Sequence, residues 1–465
     1  MTVATLATQW ALSDDEQVTV GLLRQRLAQV TRANELKRAW YDAKHSVDDL
    51  KIAVPPHLRN MGTVLGWPAL AVDVLEERLD FEAFVTPGAA DDELGLGQVV
   101  EDNQLDTELG MGILDALSFG RGYITVGRGG SGEPDPLVLV ESPFTTTDLW
   151  DRVTRRPLSM LTVVPASAGQ SEQVVVRLRE QTIYAERHRG KWRVTDRDQH
   201  GLGRVLGVPL VNKRTGSNRN GRSEITPTVV SLCQSAVRTL VGAEVTREFF
   251  SAPKFAALGV DAAAFAGPNG ESLSQWEATI GRVWAIGNDD DGNRPDIKQF
   301  LGSSPTPFID LMKMYAQLFS AETALPPSYL GLVSDIPTSA DAIRAGEARL
   351  VKRAERRQRT LGTALSEVAR LALLVRDGEA PEAAPRVVWR DAATPTRAAA
   401  ADEAVKLISS GVLAPDSEVT WERLNISETD RRRLAAEARA RRASAVLPGP
   451  LERARVERQP PALAS

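Results

Sequence analysis

Cysteine is almost missing from this sequence: Cys233 is the only one in 465 residues. A single thiol forms no internal disulfide, so the chain fits synthesis in the reducing interior of a cell. Histidine is nearly as scarce. His45, His57, His188 and His200 lie in unrelated stretches with no cysteine or carboxylate at metal-ligand spacing, which argues against a structural metal. Long apolar runs are absent too. No stretch approaches the ~18 unbroken apolar residues of a membrane span. The opening MTVATLATQWALSDDEQ has neither a basic start nor an apolar segment of signal-peptide length. The chain is expected to be soluble, off the membrane and cytoplasmic when made.

The usual signatures of catalysis are lacking as well. GxxxxGK[ST] does not occur, which excludes a P-loop nucleotide motor. Gly127, Gly129 and Gly132 satisfy GxGxxG, but Glu133-Pro134-Asp135-Pro136 follows where a dinucleotide site needs a helix, so these glycines read as hairpin turn residues. The run Asp289, Asp290, Asp291 has its next glycine at 292, out of register for an EF-hand loop, and reads as a solvated turn. Cys233 sits on an apolar helical stripe and reads as core. No cofactor and no catalytic residue is expected.

What is present is an ordinary globular balance, 42% apolar and 25% charged, in a chain long enough for two to four domains. The net charge of -5 hides an asymmetry. Residues 1–120 carry 9 Lys and Arg against 20 Asp and Glu, whereas residues 431–465 carry 9 Arg against 3 Glu. The basic terminus reads as a disordered tail ahead of a nucleic-acid contact.

The first third is helical in pattern: Leu23, Leu27 and Val30 repeat at helical spacing, as do 67–79 and 94–117. From Gly122 the period changes to two, and residues 122–212 read as β-rich, with GYITVGR and PLVLVES as a hairpin followed by LSMLTVV, QVVVRLRE, QTIYAER and KWRV. Thr226-Pro227 and Thr306-Pro307 each place an N-cap before a first-turn proline, predicting helices to about Phe250 and Ala324. Val229, Leu232 and Leu240 on the first, and Leu311, Tyr315 and Leu318 on the second, belong to apolar faces too wide for a surface helix, so both helices are expected to be covered on two sides.

Between them lies an insertion, 251–304, with strands at KFAALGV, GRVWAIG and DIKQF. Prolines 326, 327 and 337 interrupt the chain before a third helix from Ser339 to Arg376, about 55 Å long. Its first half is basic, with Arg344, Lys352, Arg353 and Arg356 on its face, and two readings stay open: a solvated or DNA-facing surface, or pairing with the acidic N-terminal region, which is preferred. A strand VVWR, a helix over 396–409 and a last helix from about Ser427 to Arg442 complete the pattern.

Four segments in this order, WPALAVDVLEERLDFEAF from Trp67, DNQLDTELGMGILDALSFGRGYITV from Asp102, GRSEITPTVVSLCQSAVRTL from Gly221 and LPPSYLGLVSDIPTSADAIRAGEARLVKRAERRQRTLG from Leu325, give the chain its resemblance. Over roughly residues 30–440 it resembles the portal proteins of long-tailed, siphovirus-type bacteriophages, especially those infecting actinobacteria.

The resemblance implies an α+β portal fold, with a mainly helical wing and stem, a β-rich wing part, a small α/β clip and a helical crown. It implies an N-terminal arm (1–29), a wing (30–222 and 340–392), stem helices (223–250 and 305–325), a clip (251–304), a tunnel loop (326–339), a crown (393–442) and a loose tail (443–465). Ser334, Asp335, Ile336, Pro337 and Thr338 correspond to the loop tip that lines the channel, where Ile336 departs from the family's frequent Asn. The implied assembly is a ring of about twelve copies closed by heterologous contacts. Its implied partners are double-stranded DNA bound without sequence preference, the terminase large subunit, a head-tail connector, and the major capsid and scaffold proteins, at the virion's portal vertex. Counted from Glu224, each stem helix has a charge balance of -1, which would guide DNA without gripping it.

Two rival readings differ in kind. A capsid-associated adaptor or scaffold would share the helices but needs no clip and no proline-bent loop. A nucleic-acid-processing enzyme would need a carboxylate cluster for metal-assisted phosphoryl transfer, and no recognisable set occurs.

Overall fold

The computed structural model describes residues 11–44, 64–87, 92–167, 171–250, 254–258, 296–300, 304–332, 339–393, 397–424 and 426–446. The strand expected at GRVWAIG, the turn at Asp289–Asp291, the loop tip from Ser334 to Thr338 and the C-terminal tail beyond 446 lie outside them. The chain divides into two compact units, one of residues 1–42, 69–226 and 336–465, the other of residues 43–68 and 227–335.

The larger unit opens with α1 (Asp14–Tyr41), which starts nine residues before Leu23 of the apolar repeat because Ser13 and Glu16 form a capping box. The Glu16 carboxylate also accepts from Arg197 Nη1 at 2.7 Å, tying this cap to a sheet. α2 (Trp67–Glu76) stops short of the expected Leu79, and FEAFV becomes β1 (Phe81–Val85). β1 pairs antiparallel with β12 (Arg386–Trp389), some 300 residues later.

The helix expected over 94–117 is two helices, α3 (Leu96–Asp102) and α4 (Leu105–Phe119). They break at Asn103 and the left-handed Gln104 because the Asn103 amide is used elsewhere: it donates to the Pro136 carbonyl and accepts from Val138 N.

Two antiparallel sheets follow. β2 (Arg121–Gly127) is flanked by β3 (Leu137–Glu141) and β9 (Gly207–Val211). β4 (Thr146–Asp151), β5 (Arg156–Val164), β6 (Gln173–Arg177), β7 (Thr182–His188) and β8 (Lys191–Asp198) form a meander in sequence order.

Gly127, Gly129 and Gly132 fall in or beside the β2–β3 hairpin connection, as their spacing predicts. Leu23 and Val20 of α1 pack with Leu161, Val176 and Ile183 of the meander, all nearly inaccessible to water. Each such side chain contributes about 1.5–3 kcal/mol on burial. The two sheets are joined by Asp148 of β4, which accepts from Arg121 Nη2 at 2.6 Å and from the Tyr123 hydroxyl at 3.2 Å.

α4 lies tight against β2: a Cβ on Gly122 would stand 2.5 Å from the Gly112 carbonyl oxygen, so only glycine fits there. α7 (Ala340–Asp377), capped by Ser339 as expected, packs on β2, β9 and β12. The C-terminal helices are α8 (Arg397–Ser409), the short α9 (Glu418–Arg423), not foreseen from the sequence, and α10 (Glu428–Val446).

The smaller unit is built on α5 (Pro227–Phe250) and α6 (Thr306–Thr323), with the hairpin β10 (Lys254–Leu258) and β11 (Asp296–Phe300) between them in sequence. α5 begins at Pro227 as the Thr-Pro signal predicts. At α6 the cap position is Pro305, and the Ser304 hydroxyl accepts from Thr306 N at 3.2 Å. Thr306 is the first helical residue rather than the cap, and no side chain caps this helix. Phe319 of α6 is fully buried with its ring centroid 5.1 Å from that of Trp67. Cys233 is buried in α5, and that burial pushes its thiol up to about 12, the state of an inert core residue.

Among the described residues no helix is long and apolar enough to cross a membrane, and no group of His, Cys, Asp and Glu is arranged to hold a metal ion.

Candidate functional site

The most concentrated chemistry in the larger unit lies on the strap that leaves β9. Asn212 fastens the loop 213–222 from inside: its backbone carbonyl accepts from Arg222 N and its side-chain amide donates to the Arg222 carbonyl, both at 2.9 Å. The strap then lies on the end of α4, with Glu224 N donating to the Leu117 carbonyl and the Ser223 hydroxyl donating to that of Ser118. This places the Glu224 side chain, only 3% exposed, against the inner face of α7.

Three cations converge on that carboxylate. Lys213 Nζ stands 2.6 Å from Oε2, Arg353 Nη2 2.7 Å from Oε2, and Arg357 Nη2 2.8 Å from Oε1, and Asn212 Nδ2 donates to Oε1 at 3.0 Å. Burial alone would raise the pKa of Glu224. The coulombic pull of Lys213, Arg353 and Arg357 outweighs it and holds the group near 2. The acid is ionised at any physiological pH. A cluster like this fixes geometry: a buried carboxylate with four donors has few alternative positions, and removing one partner leaves buried charge uncompensated.

The basic face of α7 thus splits. Arg353 and Arg357 stand on the stripe that carries buried Leu350, Ala354 and Leu361, and they point inward. Lys352 pairs with Glu355 at 2.8 Å on the exposed side, and Arg344 and Arg356 are exposed. The preferred expectation was pairing with the acidic first 120 residues. The acid reached by Arg353 and Arg357 is instead Glu224, from the strap before α5. Helix α5 proper starts after Glu224, so its own charges, Arg238 and Arg247 against Glu244 and Glu248, are even rather than -1.

Of the apolar residues expected to pack the two helices, Val229 is buried, while Leu232, Leu240 and Tyr315 are half-buried. Leu311 and Leu318 are 40% and 49% exposed, and Met314, on the same stripe, is 42% exposed. The opposite side of α6 carries buried Ala316 and Phe319. α6 therefore has two apolar faces, one covered within the smaller unit and one open. One apolar face of α6 is thus uncovered in the chain by itself, whereas no large hydrophobic side chain of α5 between 227 and 247 is exposed.

The sequence places Arg353 and Arg357 in one basic run and Glu224 at the start of the first stem helix, but does not bring them together with Lys213 and Asn212. The available signal was the spacing of Arg353 and Arg357 with the buried stripe of α7.

Comparison with known proteins bears on what these features serve. Residues 22–441 match the family described as phage portal protein, SPP1 Gp6-like. The portal protein of Mycobacterium phage D29 is 32% identical over 388 residues, covering 80% of this chain and 78% of that protein. The portal protein of Mycobacterium phage L5 is 31% identical over 383 residues, with the same shares covered. Among solved structures, a chain titled as the neck of an empty GTA particle aligns with 76% of this chain and 88% of its own, at 15% identity and a TM-score of 0.43. With the family's profile spanning most of the chain, and relatives this similar over four-fifths of it, the protein belongs to the SPP1 Gp6-like family of phage portal proteins.

Proposed function

We propose that this chain is one subunit of a portal ring at a capsid vertex, through which double-stranded DNA enters during packaging and leaves on ejection, and to which the tail is joined. The family is a structural one, and the role asked of the chain is to hold a channel open. The observation that supports the ring is the open apolar stripe Leu311, Met314 and Leu318 on α6, whose other face is already packed. A stripe of this kind on a helix that also has a buried face calls for a partner surface. The same contact repeated from copy to copy closes into a ring if the rotation allows.

In this reading α5 and α6 are the stem, 251–304 the clip, 393–442 the crown, and Ser334, Asp335, Ile336, Pro337 and Thr338 line the channel. α5, with even charge, and α6, with Lys313 against Asp310 and Glu322, make walls that hold few phosphates, as a conduit for moving DNA requires. The terminase large subunit, head-tail connector, major capsid protein and scaffold are the expected partners, met after synthesis in the host cytoplasm.

Native mass of the purified protein, followed by negative-stain images, tests the reading. The expected species is a ring with a central hole, about twelve times the 50.5 kDa chain mass. A stable monomer that no scaffold protein converts to rings would overturn it in favour of an adaptor.

A further inference from the structure

Along α7 the larger unit holds a cavity of about 230 Å³ between Thr360, Thr363, Ala364, Glu367 and Leu371 of that helix, strand β9, and the turn joining β4 to β5. Its floor is apolar, formed by Trp150, Pro157, Val205, Val208 and Leu371. Its rim is cationic, with Arg155, Arg156, Arg179, Arg204, Arg214 and Arg219 against only Asp151 and Glu367.

Both acids are already engaged. Asp151 accepts from Val153 N and Thr154 N of its own turn, and Glu367 pairs with Arg204 and, at 4.0 Å, with Arg156. The excess of positive charge is felt within the site: burial, together with Arg156 and Arg370, pulls the Arg204 guanidinium down to about 10. Among the described residues no acceptor reaches Arg370 Nε. A second basic hollow, lined by Lys213, Arg214, Arg356, Arg357, Arg359 and Thr360, shares Arg214 and Thr360 with the first and extends it along the helix.

We propose that this groove docks an acidic segment of a partner protein, with one aliphatic or aromatic side chain seated on the apolar floor and flanking carboxylates on the arginine rim. The floor distinguishes this occupant from a phosphate backbone, which would use the cations and leave Trp150, Val208 and Leu371 unfilled. A second copy of this chain is a poorer source. Where its described acidic runs adjoin leucines, at 12–16, 73–80, 92–96 and 105–109, Leu12, Leu75, Leu79, Leu96, Leu105 and Leu109 are buried in its own core and Leu94 is half-buried, so no fully exposed leucine accompanies the charge. The groove is built from residues of the larger unit and the α6 stripe from the smaller one, with none in common, so variants of each read occupancy and ring assembly separately.

Fluorescence anisotropy on the assembled full-length protein tests this with a panel of labelled acidic peptides, each carrying one central Leu, Phe or Trp. Matched peptides with Ser at the centre and a short DNA duplex serve as comparison probes. The expected result is binding by anchored peptides at least about tenfold tighter than by their Ser counterparts, the discrimination of a filled apolar pocket. That binding is lost in Arg156→Glu/Arg214→Glu/Arg219→Glu and kept in Arg128→Glu, a charge reversal of the same kind in the β2–β3 connection. Three results overturn the proposal: no anchored peptide binds, Ser peptides bind equally well, or the duplex binds more tightly and is lost with the same triple variant.

Discussion

Glu224 and Arg357 meet at 2.8 Å although 133 positions separate them, and the pair is buried on both sides. Removing the acid leaves Lys213, Arg353 and Arg357 close together with no counter-charge. Glu224→Gln is therefore expected to cost roughly 3 kcal/mol, the scale of breaking a buried ion cluster from one side. The thermal unfolding transition of the larger unit should fall, with faster amide exchange around 353–357. Adding Arg357→Met should recover part of the loss, because the two changes act on one network. Equal loss in the single and double variants would show the cluster to be energetically inert.

The same carboxylate gives a pH dependence with a definite sign. Its pKa is about 2 in the folded chain against an ordinary 4.5, so the unfolded state takes up the proton first as pH falls. The stabilisation is complete above about pH 4.5 and is lost between there and about pH 2. Stability measured over that interval should drop in the wild type and change less in Glu224→Gln.

Asp115 runs the opposite way. Burial in α4, only partly offset by Arg38, raises its pKa to about 6, so carrying the charge at neutral pH destabilises the fold. Asp115→Asn is expected to stabilise by about 1 kcal/mol at pH 7, discounted for its partial exposure. The advantage should shrink as pH falls below 6 and the native acid becomes neutral. A thermal-shift series at pH 7 and pH 5 reads both parts of this expectation.

Local signals in the sequence carried the helices well and the long-range partners poorly. Thr226-Pro227 and Ser339 mark the starts of α5 and α7 because capping is decided by a few adjacent residues. The alternation in 122–212 likewise gives a β region, since each strand's inward set is written in its own residues. Nothing local marks β1, in a third of the chain that is helical in pattern, because its strand partner lies some 300 residues away and extended structure there is fixed by that pairing. Asn103 breaks a periodic helix for the sake of Pro136 and Val138, contacts with no local trace.

The ion cluster was half legible. The spacing of Leu350, Ala354, Arg357 and Leu361 places Arg357 on the inner stripe of α7, but nothing in GRSEITP announces that its glutamate is the acid waiting there.

The stripe on α6 supplies the most direct test of the ring. Leu311 and Leu318 are exposed in the chain by itself, so replacing both with glutamate removes nothing from its own core. If they face a neighbour, Leu311→Glu/Leu318→Glu places two carboxylates in every subunit contact, at a cost of several kcal/mol each when desolvated. The expected outcome is a folded monomer, with circular dichroism and unfolding temperature close to the wild-type chain held dilute, and no ring in negative stain. Phe319→Ala is the contrasting change. Phe319 lies on the buried face against Trp67, so truncation should cost about 3–5 kcal/mol and loosen the smaller unit itself. Rings formed normally by the double glutamate variant would mean that the open face of α6 lies outside the subunit contact, and the search for that contact would move to other exposed apolar positions such as Val18 and Leu22 of α1.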